Sequence, residues 1–101
     1  MNLEINEIYT LKLNSSEEIV ARVVDSLADY VVVSDPIACV ISPQGLQLMP
    51  AMFSSNMDKN IQLNKNSIAM AAETREDIRA KYIEATTGIV TAPAAKQIIT
   101  G

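Results

Sequence analysis

A chain of 101 residues holds one small domain, and a domain of that size buries its core with a modest margin. Nearly half of the residues (49%) are apolar, yet only four are aromatic and none is Trp, so the core is expected from Val, Ile, Leu, Ala and Met. A net charge of −4, a single Cys and no His exclude an internal disulfide, Ser-His or Cys-His nucleophile activation and most zinc sites.

The stretch from Tyr9 to Pro36 decides the fold class. It holds three short β-branched apolar runs separated by two polar turns, the pattern of an antiparallel meander. Residues 8–13 alternate, with Tyr9, Leu11 and Leu13 on one face and Thr10 and Lys12 on the other. A polar turn follows at Asn14 to Glu17. Residues 18–25 form the second strand, with Ile19, Ala21 and Val23 opposed to Val20, Arg22 and Val24. After a turn at Ser26 to Asp29, Tyr30 opens a third strand in which Val31, Val32 and Val33 are consecutive, so both faces are expected to be covered. Pro36 interrupts that run, and a Pro in a strand path marks an edge or a bend. The strand is therefore predicted to bend near Asp35-Pro36 and to continue to Ile41.

Ser42-Pro43-Gln44-Gly45 has the chemistry of a tight turn. A strand is predicted over 46–53, a polar loop over 54–60, a short strand at 61–63, a turn at 64–67 and a last strand at 68–72. Counted as about five strands with bends, this pattern predicts a mainly β, small, strongly curved antiparallel barrel. Thr74 with Asp77 reads as a capping pair. A helix is expected over 75–85, with Ile78 and Tyr82 on one face and Asp77 spaced to pair with Lys81. Gly88 is placed to end it. Residues 89–101 are a tail in which Ile98-Ile99-Thr100 has the composition of a docked strand or of a frayed end. The organisation is thus a β core over 1–73, a helix over 74–88 and a tail over 89–101, within one domain.

Charge narrows the partners. The eight basic residues are scattered, and only Arg75, Arg79 and Lys81 lie close together, where a solvated helix face is the simplest reading. Proteins that hold duplex DNA concentrate Lys and Arg on one face, and this chain does not. The N-terminus lacks a basic region followed by an apolar one, and no apolar run reaches the ~20 residues of a membrane span. The chain therefore reads as soluble and cytoplasmic, with no membrane partner. Its apolar excess predicts surface covered by another copy of itself.

Few side chains carry chemistry. The acid pairs Glu17-Glu18 and Asp25 with Asp29 sit at predicted turns, where acids serve as soluble turn formers. Cys39 lies in an apolar run with no nearby base, as a structural thiol would. Met49, Met52, Met57 and Met70 read as core filling or subunit packing. Gly45 and Gly88 are isolated turn glycines and not a phosphate-cradling loop. No metal site, cofactor or catalytic group is expected, so the chain is not read as an enzyme.

Two segments resemble a known family. LKLNSSEEIVARVVDSLADYVVVSDP resembles the first motif of the Sm/LSm family, and IQLNKNSIAMAAE resembles its second. With the ending KYIEATTG, the chain is similar to small Sm-like proteins of marine tailed phages, over a core of about residues 7–73. If phage-encoded, it would act in the host cytoplasm. The resemblance implies a bent five-stranded barrel and ring assembly through strand edges, here the strands at 46–53 and 68–72. It also implies a base-binding pocket at Asp29, Tyr30, Asn64 and Lys65. Asp29 stands where RNA-binding members carry Asn, and Asn64-Lys65 stands where they carry Arg-Gly. An ionised Asp offers only acceptors, and loss of Arg removes a stacking, bidentate donor. The implied function is a non-enzymatic, ring-forming interaction or scaffold protein, with single-stranded RNA binding through a degenerate pocket as the alternative.

Overall fold

Alternation in the first two strands gives each of them two usable faces, and the fold covers both. The computed structural model describes residues 2–52, 54–56 and 59–87. It contains β1 (Ile8–Leu13), β2 (Glu18–Ser26), β3 (Tyr30–Ser42), β4 (Gly45–Pro50), β5 (Ile61–Asn64), a single 3₁₀ turn (Lys65–Ser67), β6 (Ile68–Glu73) and α1 (Glu76–Thr87). The strands form one antiparallel sheet in the order β4-β3-β2-β1-β6, with β5 also on β3. Among the described residues there are six strands and not five. The segments predicted as separate strands at 46–53 and 61–63 pair with different halves of β3: Ile37–Ser42 with β4, and Tyr30–Val33 with β5.

One face of the sheet closes over Leu11, Ile19, Ala21, Val23, Val31 and Val33, joined by Leu3 and Ile68. The other face carries Ile8 and Val20, which α1 covers with Ile78 and Tyr82. The facing expected for β2 therefore holds: Ile19, Ala21 and Val23 lie in the first cluster and Val20 in the second. Among the described residues methionine is absent from both groups of buried residues, contrary to expectation, and Tyr82 is the largest fully buried side chain.

The curl of the sheet follows from its connections. In a flat sheet of order β6-β1-β2-β3-β5, the outer two strands would lie four spacings, or ~19 Å, apart. Asn64 ends β5 and Ile68 begins β6, and four residue steps span at most ~14 Å even when extended. The sheet must therefore curl to bring β5 and β6 towards each other. No ladder joins them, so the sheet remains open.

β3 bends where its sequence demands. Val20 pairs with Ile37 and Arg22 with Ser34, so Asp35 and Pro36 form a bulge opposite Ala21. Asp35 takes φ 49°, a left-handed conformation that Asp tolerates better than most residues. The bulge disrupts the local ladder, and α1 repairs it. The Tyr82 hydroxyl donates to the Ser34 carbonyl at 3.0 Å and accepts from the Arg22 N–H at 3.1 Å. Burial pushes the Tyr82 phenol up to about 12.

The helix begins at Glu76, and its N-terminal details differ from expectation. Thr74 is buried, and its hydroxyl accepts from that of Thr10 at 3.1 Å. Asp77 pairs with Arg75 at 2.6 Å, and not with Lys81. The proposed cap at Gly88 and the tail over 89–101 lie outside the described residues, as does Met57.

Tyr82→Phe keeps the ring but leaves the Arg22 N–H and Ser34 carbonyl without the phenol, which is expected to lower stability by about 1–3 kcal/mol in urea denaturation. The phenol's pKa is raised in the folded state, so its contribution is full below pH 10 and is lost as pH rises from 10 through about 12. An alkaline unfolding step in that window should be present in the wild type and weaker in Tyr82→Phe.

Candidate nucleic-acid junction and sheet edges

β3 begins where the β2–β3 turn meets the end of β5, and this junction gathers four residues far apart in sequence. Tyr30 stands opposite Asn64 in the β3–β5 register. The Lys65 N–H donates to the Asp29 carbonyl at 3.0 Å. All four sequence-predicted site residues thus share one junction. Asn64 is committed to local structure: its Oδ1 accepts from the Asn66 N–H at 2.8 Å, and its carbonyl accepts from the Ser67 hydroxyl at 2.6 Å. Asp29 and Asn64 are exposed, whereas Tyr30 and Lys65 are half-buried. What the junction can offer a ligand is one carboxylate, one ammonium, one phenol and one amide.

The concavities of the surface lie elsewhere. A 420 Å³ trough runs along β6, lined by Leu3, Tyr9, Met70 and Glu73 among others. A 360 Å³ trough lies between the start of α1 and the β3–β4 hairpin, with Ile41, Leu46 and Ile78 beside Glu18 and Arg75. Neither is lined by the four junction residues.

The sheet margins carry more apolar surface than the junction. β4 and β6 end the strand order, as the resemblance implied for the strands at 46–53 and 68–72. β4 carries no charged residue, and β6 carries only Glu73. Met49 is 39% exposed, Met70 67% and Ile41, at the tip of the β3–β4 hairpin, 79%. Met52, beyond β4, is also exposed. Sequence reasoning left these methionines open between core and subunit surface, and the structure puts them on the surface.

The remaining acids and the thiol form no ligand cage. Glu18 and Asp25 lie within β2, not in the turns, and Glu17 accepts from the Ser15 hydroxyl. Among the described residues, no three His, Cys, Asp or Glu side chains are grouped to hold a metal ion, and no helix is long and apolar enough to cross a membrane. Cys39 is half-buried opposite Glu18. Burial pushes its thiol up, and the Glu18 carboxylate pushes it the same way.

No family model matches the chain, and no curated protein matches its sequence.

A thiol with a raised pKa reacts slowly, because the thiolate is the nucleophile. Cys39 is expected to react with a disulfide reagent at pH 7 more slowly than a free cysteine peptide. Glu18→Gln should speed that reaction; an unchanged rate would show that access, and not charge, controls the thiol.

Proposed function

We propose that this chain is a subunit of a ring-like homo-oligomer built on a small Sm-like barrel, acting as a non-enzymatic interaction or scaffold protein. The observation that carries this reading is the pair of open, nearly uncharged strand edges, β4 and β6, at opposite ends of one curled sheet. An edge strand presents unpaired N–H and C=O groups, and natural proteins blunt it with charge, bulges or a cover. Pro50 blocks only the end of β4, and β6 bears Met70 where a protective Lys would serve. Because the two edges differ, pairing β4 of one copy with β6 of the next is heterologous, and heterologous contacts generate rings when the rotation closes. The curl forced by the short β5–β6 connection supports the barrel.

Light scattering coupled to size exclusion tests this reading. The wild type should elute as a discrete multiple of 11.0 kDa at micromolar concentration. Met70→Lys should release the 11.0 kDa monomer with little loss of fold, since an exposed substitution usually changes stability by about 0.5 kcal/mol or less. A wild type that is already a clean monomer retires the assembly.

A second reading, single-stranded RNA binding at Asp29, Tyr30, Asn64 and Lys65, draws on the shared junction of these residues. Labelled oligo-U and oligo-A titrated at low salt should bind weakly if this reading holds, and Lys65→Glu should abolish the signal. No signal at low salt removes it, and binding indifferent to Lys65→Glu moves the pocket elsewhere.

A further inference from the structure

A third concavity differs from the troughs in drawing most of its lining from the main core cluster and the residues packed on it. It measures 240 Å³ and lies between the start of β2, the middle of β3, β5 and the residues that follow β4. Its walls include Ile19, Val33, Ala38, Ala51, Ile61 and Leu63. Ile19 and Val33 are buried in the main core cluster, and Ala38, Ala51, Ile61 and Leu63 pack against it, so the core supplies most of the lining. Ala51 is fixed by its N–H, which donates to the Pro36 carbonyl at 3.1 Å. Small side chains at 38 and 51 leave the space open. Among the described residues that line the cavity, Glu17 alone is charged, and its carboxylate accepts from the Ser15 hydroxyl at 2.8 Å.

We infer that this cavity binds a small aliphatic molecule bearing a cationic amine, with the chain against Ile19, Val33 and Leu63 and the ammonium at Glu17. Apolar walls with one placed polar group are the usual make-up of a small-ligand site. A cavity of 150 Å³ holds a six-carbon ring, so 240 Å³ holds a chain of roughly six to ten carbons. The carboxylate at Glu17 and the net charge of −4 favour a cation over a fatty acid. This inference is independent of the oligomeric reading.

The test titrates the full chain with n-alkylamines from butylamine to dodecylamine, below their micellar concentrations, and follows the Ala38 and Ala51 amide signals by NMR. Affinity should rise about fourfold per methylene up to eight to ten carbons and then stop rising. Octanoate should bind more weakly than octylamine. Absence of any shift overturns the site, and so does affinity that climbs without a break through dodecylamine, which is the behaviour of surface partitioning. Ala51→Leu should weaken octylamine about tenfold or more, with Ala38→Leu as the second filling variant; unchanged affinity in a folded filling variant also overturns it. Glu17→Gln should cost octylamine about two- to fivefold, the range for an exposed ion pair, and leave octanol unchanged. An equal loss for both removes Glu17 from the site.

Discussion

The bulge at Asp35-Pro36 is the constraint on which the remaining architecture depends. A 13-residue strand that stayed straight would offer one continuous edge, and β4 and β5 could not be set against its two halves on a curled surface. Bending it breaks backbone pairing at a part-buried position, where an unsatisfied N–H or C=O is costly. The Tyr82 phenol bridges the Arg22 N–H and the Ser34 carbonyl, so one side chain from the helix completes the sheet. That is why α1 is part of the fold and not an appendage. Its buried residues, Ile78 and Tyr82, also close the second face of β1 and β2.

The same curl explains the surplus of apolar residues. A small sheet covered on one side by its own curl and on the other by a helix needs few large side chains, and Val, Ile, Leu and Ala suffice for its interior. Met49, Met52 and Met70 are then left exposed outside it. Met is flexible and polarisable and adapts to an irregular surface, so it suits a seam between copies better than a tightly specified core. On the proposed edge pairing, the apolar surface at these margins would be covered by a neighbouring copy.

Much of the fold is legible in the sequence, because strand alternation and turn chemistry are local signals. The facing of Ile19, Ala21 and Val23 against Val20 follows from period two alone, and the bend at Asp35-Pro36 follows from a Pro inside a strand path. Tyr82 is harder to read. Its helix face is visible from its spacing with Ile78, but its two hydrogen-bond partners lie 48 and 60 residues away. The ionic pairing of Asp77 is misread for a different reason. Lys81 has the right helical spacing, but Arg75 precedes the first turn and reaches the same carboxylate with two nitrogens. The junction of Asp29, Tyr30, Asn64 and Lys65 was reachable only by resemblance, since no local pattern links 29–30 with 64–65. The cavity beside Glu17 left no sequence signal, because its walls come from four separate segments.

Charge at the junction bears on what assembly can add to it. Closing copies into a ring multiplies whatever each copy presents. The Lys65 backbone is bonded to that of Asp29, so the two side chains leave neighbouring points with opposite charge. Their sum is zero per copy and stays zero at any subunit number, while the chain as a whole contributes −4 each time. A ring therefore does not concentrate positive charge at this position. Phosphate attraction, which supplies most non-specific affinity for nucleic acid, is missing. What remains is base stacking on Tyr30 and the amide of Asn64, and stacking is worth about 1–3 kcal/mol per base. On the RNA reading such a site would hold single bases weakly and track no backbone, whereas the open edges β4 and β6 each offer a whole strand of backbone N–H and C=O groups.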